Sequence, residues 1–193
     1  MNNKYNPKQE QIFSKGKELF WKYGFKRVTI EEICREAKVS KMTFYKYFHN
    51  KSKLAEAILD RIFDESIIKI RKLGEEHKDA GQTLEKIMQL KFEGSKGIGE
   101  EFVKDLYAYP EAELKVYMEA KTQEIFTEVI QLYERGKKDG WVRKDLNIPF
   151  MIQFTRSSMD LITKQELMPY FDNYQEMILE ITRLFIYGIA PHE

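Results

Sequence analysis

Between Thr29 and Lys51 the chain gathers side chains that can hydrogen-bond to an anion: Thr29, Ser40, Lys41, Thr43, Tyr45, Lys46, Tyr47, His49 and Lys51. Lys and Thr can meet base edges or phosphates, and Tyr hydroxyls commonly donate to phosphate oxygens. Spacing decides where they point. Phe44 and Phe48, four residues apart, share one helix face. At about 100° per residue, Met42 and Lys46 lie opposite that face, flanked by Thr43, Tyr45 and Tyr47. An outward face of Lys, Thr and Tyr over an inward Phe pair is unusual for a purely structural helix and suits contact with nucleic acid. The charge distribution agrees. Residues 1–53 hold 13 Lys and Arg against five acidic residues, a local charge of +8, whereas the remainder carries −7 and the whole chain only +1. A basic first quarter on an otherwise acidic protein implies a local anionic partner. An exposed basic face on a small helical bundle is the alternative.

Other chemistries find no residues. His49, His77 and His192 are scattered, and no HExxH, GxSxG, Gly-rich phosphate loop or Cys/His metal pattern occurs. The reading is therefore of no enzyme, no metal and no cofactor. A single cysteine, Cys34, excludes an internal disulfide framework and fits a reducing compartment. It falls on an apolar face with Ile30, Ile33 and Ala37, where it acts as a small core residue. No apolar run reaches the roughly 18 residues of a membrane span, and the first residues lack a signal peptide's apolar core. The expectation is a cytoplasmic protein with no membrane partner.

The elements that must position these residues read as helices throughout, with no strand alternation and no internal repeat. With 193 residues the chain can hold one large domain or two small ones. A first helix is expected over Pro7–Tyr23, with Gly24 as its stop. Thr29 and Glu32 form a capping box for a second helix, with Val28 and Ile33 as its hydrophobic staple. Ser40 caps a third helix, with Val39 and Phe44 as the staple. Two short helices joined by a tight turn make a helix-turn-helix, whose second helix enters the DNA major groove. A fourth helix opens near Asn50, with Lys51 and Lys53 where a helix dipole disfavours cations and a phosphate would be welcome. It runs to Leu73, just before Gly74. Further helices are expected at 81–95, 100–108, 110–138, 148–165 and 169–188, the second of these stopping before Pro110, which starts the third.

The segment Val28 to Leu54 resembles the N-terminal DNA-binding domain of the TetR family of one-component transcription regulators. The resemblance is carried by Thr29, Ile30, Glu31, Glu32 and Ile33, by Ala37, by Val39, Ser40 and Lys41, and by Thr43, Phe44 and Tyr45. Tyr47, Phe48, Asn50, Lys51 and Leu54 complete it, and Leu19, Phe20, Tyr23, Gly24 and Phe25 look like the family's first helix. Together these cover about a quarter of the chain. The resemblance implies an all-α protein of about nine helices, with a three-helix DNA-binding domain over residues 1–50 and a helical ligand-binding and dimerisation domain over residues 51–193. A homodimer would bind a pseudo-palindromic double-stranded DNA operator, usually repressing it, and a small-molecule effector would release it. Control by a protein partner, or by no effector, is the alternative.

By position, the implied DNA contacts are Thr29, Ser40, Lys41, Met42, Thr43, Tyr45, Lys46, Tyr47, His49 and Lys51. Lys41, Thr43 and Lys46 would meet base edges, and Tyr45, Tyr47 and Lys51 would clamp phosphates. Met42 departs from the small residue common at its position, and would either touch a thymine methyl or restrict groove entry. Candidate effector contacts in the body are Met88, Phe92, Tyr107, Tyr117, Phe126, Tyr133 and Phe154, for each of which plain core packing is the commoner use. Their aromatic and Met content points to an apolar or aromatic effector. A dimer face is expected from Phe150, Ser157, Ser158, Leu161, Met177, Ile181, Leu184 and Phe185. The same stripe can instead pack within one subunit.

Overall fold

The computed structural model describes residues 6–76, 79–105 and 112–191, and among these the ordered elements are helices, with no strand. In order they are α1 (Pro7–Tyr23), α2 (Ile30–Glu36), α3 (Lys41–Tyr47), α4 (Lys51–Glu76), α5 (Ala80–Ser95), α6 (Glu100–Val103), α7 (Ala112–Asp139), α8 (Ile148–Leu161), a short 3-10 helix (Gln165–Tyr170) and α9 (Tyr174–Ile189). No helix among the described residues is long and apolar enough to cross a membrane.

The N-terminal helices start where local side-chain chemistry tells them to. Asn6 accepts from the Lys8 N–H at 3.0 Å ahead of Pro7, so α1 opens with two orphan donors dealt with. At α2 the Thr29 hydroxyl oxygen accepts from the Glu32 N–H (3.2 Å), and the Glu32 carboxylate accepts from the Thr29 N–H (2.9 Å) and hydroxyl (3.1 Å). The capping box is complete. Ser40 Oγ accepts from the Thr43 N–H at 3.1 Å to open α3. Asn50 Oδ1 accepts from the Lys53 N–H at 2.8 Å to open α4.

Later elements depart from the periodicity in four places. α4 runs through Gly74, which is no stop. A Cβ there would meet Leu132 Cδ1 at 3.2 Å and Arg135 Nη1 at 3.0 Å, so the missing side chain lets α4 lie against α7. α6 is α-helical only to Val103 and widens into a π turn at Lys104 and Asp105; residues 106–108 lie outside the described residues. α8 ends at Leu161, after which i→i−3 bonds from Ile162, Thr163 and Lys164 tighten the chain. Pro169 falls inside the 3-10 helix, and α9 begins only after Asn173, whose side chain accepts from the Glu176 N–H at 3.0 Å. A proline was a weaker start signal there than an Asn cap.

The chain divides into two compact units, Met1–Ile62 with Ile98–Met118, and Phe63–Gly97 with Glu119–Glu193, so α4 and α7 each contribute to both. The first unit buries Ile12, Phe13 and Phe20 of α1, Ile33 and Cys34 of α2, Phe44 of α3, and Leu54 and Ile58 of α4. Burial raises the Cys34 thiol above its ordinary value, as a small core residue should behave. Glu10 of α1 and Arg61 of α4 form a two-pronged ion pair at 2.7 and 2.9 Å, with the guanidinium 3.5 Å from the Phe13 ring centroid. The second unit is built on Trp141, Val142, Leu146, Ile148 and Met151, with Leu73, Phe126, Leu132 and Ile189 around them.

Two predictions come from these elements. In α7 a Cβ on Gly136 would stand 2.5 Å from Val142 Cγ2 and 2.7 Å from the fully buried Trp141 ring. Gly136→Ala should therefore lower stability by about 2 kcal/mol by urea unfolding, although alanine is the better helix former by about 1 kcal/mol. In α2 the Thr29 backbone N–H, its hydroxyl, and then Arg27 and Arg35 hold the Glu32 carboxyl below its ordinary value of 4.5. A depressed carboxyl pKa means the unfolded chain takes the proton first as pH falls. The contribution is full near neutral pH and fades below 4.5. Wild type and Glu32→Gln should thus differ in urea midpoint near neutral pH, and the difference should shrink as pH falls below 4.5.

Candidate nucleic-acid interface

The α2–α3 turn is short and stretched to fit. Ala37, Lys38 and Val39 donate back to Ile33, Arg35 and Cys34 carbonyls, at 2.9, 3.2 and 3.0 Å. Lys38 takes a left-handed conformation (φ 53°), where Gly or Asn would be easier by about 1 kcal/mol. The turn delivers α3 with Phe44 wholly buried and Phe48 beside it, the two ring centroids 6.0 Å apart. The opposite face then has to point outward. Met42 is 84% exposed and Tyr45 53% exposed, the Tyr45 ring standing edge-on to Phe44 at 5.6 Å. Lys46 is exposed, with its ammonium 5.8 Å from the half-buried Tyr47 ring.

Several of the polar candidates already have partners. The Lys41 ammonium pairs with the Glu31 carboxylate of α2, which raises the lysine's pKa and lowers that of Glu31. The Thr43 and Ser40 hydroxyls lie 2.9 Å apart. Thr29 is held in the α2 capping box, and His49 is exposed between α3 and α4. Lys51 is turned onto the loop between α1 and α2. Its ammonium donates to the Phe25, Lys26 and Val28 carbonyls at 2.7, 3.1 and 3.0 Å and lies 4.5 Å from the Phe25 ring centroid. An ammonium has three N–H donors, so these carbonyls match its capacity.

The same loop is held from the other side by a residue the sequence did not mark. Asp105, buried, accepts from the Lys26 N–H at 2.8 Å, and the Gly99 N–H donates to the Trp21 carbonyl at 3.0 Å. Phe102 lies against Trp21, ring centroids 4.2 Å apart. No local signal could have revealed this, because the partners are some 79 positions apart.

The candidate effector contacts are dispersed. Tyr107 lies outside the described residues. Tyr117 belongs to the first unit, where its hydroxyl donates to Asp60 Oδ1 at 2.5 Å. Phe126 is buried in the second core with the Arg156 guanidinium 4.6 Å from its ring, and burial pushes the Tyr133 phenol up to about 12. Met88 is half-buried, Phe92 is exposed, and Phe154 stacks on Phe150 at 6.3 Å. Phe154 also lines an open groove of about 290 Å³, together with Arg143, Leu146, Phe150, Met151 and Leu184.

On α8 and α9, Phe150 (67%), Leu184 (63%), Leu161 and Ser157 are exposed, and Ile181 and Phe185 are half-buried. Ser158 and Met177 instead pack inside the unit, the Ser158 hydroxyl donating to the Phe154 carbonyl at 2.8 Å. Tyr187, which the α9 stripe did not include, is exposed three residues after Leu184. Among the described residues no three His, Cys, Asp or Glu side chains come close enough to hold a metal ion.

Residues 12–58 match the sequence model of the bacterial regulatory proteins, tetR family. No curated protein matches the sequence closely enough to count as a relative. Solved structures share the fold over nearly the whole chain. The fatty acid degradation regulator FadR from Bacillus halodurans is 18% identical over 96% of this chain and 98% of that one, with a TM-score of 0.73. The regulatory protein TetR from Rhodobacter sphaeroides is 16% identical over 96% and 100%, with a TM-score of 0.72. The transcriptional regulator FadR from Bacillus subtilis, solved in complex with stearoyl-CoA, is 16% identical over 94% and 99%, with a TM-score of 0.66. Residues 12–58 thus match the N-terminal domain of the tetR family of bacterial regulatory proteins, and the chain as a whole has a fold that these solved regulators share.

Proposed function

We propose that the chain is a transcription regulator that binds a pseudo-palindromic operator as a homodimer, represses from it, and is released by a small apolar or aromatic effector. DNA binding is assigned to residues 1–50, and regulation and dimerisation to residues 51–193. The observation that carries the reading is the outward face of α3, set on two capped helix starts within a segment of charge +8. A major groove about 12 Å wide admits such a helix, and the flanking phosphates meet the surrounding cations. Tyr45 and Lys46 contact DNA directly. Lys41 does so by leaving Glu31 for a phosphate or base edge. Lys51 acts by fixing the loop that leads into Thr29, so that the start of α2 meets the backbone.

The exposed Phe150, Leu161, Leu184 and Tyr187 support a dimer through α8 and α9, since exposed apolar side chains gain by being covered. Two heads so joined must reach half-sites about 34–36 Å apart. The effector proposal draws on the stearoyl-CoA held by the Bacillus subtilis FadR structure and on the Met and aromatic content of this chain's body. The dispersal of the described effector candidates favours a second reading, control by a protein partner or by no effector. Native mass spectrometry of the purified dimer separates the two, a retained small molecule supporting the first.

The DNA reading predicts that duplex sites selected from random sequence bind with strong salt dependence, falling about 10³-fold between about 50 and 200 mM salt for six phosphate contacts. Tyr45→Ala should weaken binding about tenfold by losing a hydroxyl bond to a charged oxygen, with helix content and dimer mass unchanged. A flat salt response measured by fluorescence anisotropy would remove the proposal.

A further inference from the structure

The outward face of α3 is less polar than its composition suggests. Lys41 is engaged with Glu31, and the Thr43 hydroxyl is shared with Ser40 Oγ. What projects furthest is Met42, at 84% the most exposed large apolar side chain among the described residues. It lies directly opposite the buried Phe44 and one turn from Lys46, on the line along which α3 would enter a groove. Leaving a flexible apolar chain in water there, between two lysines, costs free energy that only an apolar partner recovers.

We propose that Met42 reads thymine, its thioether side chain packing on the 5-methyl group in the major groove. This rests on the DNA-binding reading above. Thymine is the base whose major-groove edge carries an apolar group, while the other edges offer hydrogen-bond donors and acceptors that a thioether cannot satisfy. The +8 net charge of residues 1–53, which include α3, favours a polyanion over an apolar protein partner, and a thymine methyl is the apolar feature a duplex presents between its phosphate rails. Met42 supplies specificity, and the surrounding lysines supply attraction.

The test has two stages. Sites are first selected from random duplex DNA with the full-length protein. Each thymine in the selected half-site is then replaced by deoxyuridine, which lacks only the methyl. Wild type should lose about fourfold in affinity at one thymine per half-site, the value of one buried methyl. Met42→Ala should bind the two duplexes alike, and Met42→Leu should keep the discrimination. Circular dichroism confirms that each variant is folded, as expected at so exposed a position. The proposal is overturned if no thymine position responds to loss of its methyl, or if Met42→Ala discriminates as wild type does. Failure to bind any duplex at all would overturn the DNA-binding reading itself, which the first stage shows before any deoxyuridine is introduced.

Discussion

The loop from Phe25 to Val28 sets where α2 starts, and through the capped turn where α3 points. Its backbone groups are partly withdrawn from water, and such groups need partners. Three of its carbonyls find the Lys51 ammonium, and the Lys26 N–H finds the Asp105 carboxylate. The lysine comes from the first turn of α4 and the aspartate from the end of α6. A loop held by charged groups on two elements has one geometry, whereas the same loop solvated would have many. Charge-assisted bonds are about twice as strong as neutral ones, which suits a six-residue connection too short to build a core of its own.

This arrangement also explains a sequence feature that looked like a fault. Lys51 in the first turn of α4 opposes the helix dipole, at a cost of a few tenths to about 1 kcal/mol. A phosphate is one way to offset that cost. The carbonyl oxygens of a neighbouring loop are another, and the structure uses them. The cation is not left facing the helix start but reaches across to the Phe25 ring and the chain beyond it. In the proposed DNA-binding reading its part is then indirect, through the position of Thr29 and α2.

What was legible in the sequence is what local chemistry decides. α1 spans Pro7–Tyr23 as its proline start and glycine stop indicate, and α2 and α3 open at Thr29 and Ser40 because the cap, the staple and the apolar period agree there. The inward Phe pair and the outward Met42 followed from the helical repeat alone. Gly74 and Pro169 misled because each has two uses, punctuation and close approach or 3-10 geometry, and only tertiary contact selects between them. Asp105 and the Glu10–Arg61 pair were invisible, since long-range polar pairing leaves no periodic trace. In the body, apolar spacing marked helices but could not sort aromatics into core and surface. Phe126 and Phe154 look alike in sequence, yet one is buried under Arg156 and the other stacks on an exposed neighbour.

The pairing of Lys41 with Glu31 bears on how such a face avoids binding DNA indiscriminately. An acidic side chain on a basic surface repels phosphate, so approach to any duplex must first break or redirect an exposed ion pair. Exposed pairs are worth little individually, typically below about 1 kcal/mol, so the barrier is low and easily met by one well-placed contact. Non-specific duplex offers phosphate to Lys41 while leaving Glu31 against the backbone. A correct site can offer an amino group such as cytosine N4 to the carboxylate at the same time. On the proposed DNA-binding reading, the pair would disfavour wrong sequences more than right ones. Specificity in this reading comes as much from Glu31 as from the cations it restrains, and a surface of lysines alone would bind more tightly and discriminate less.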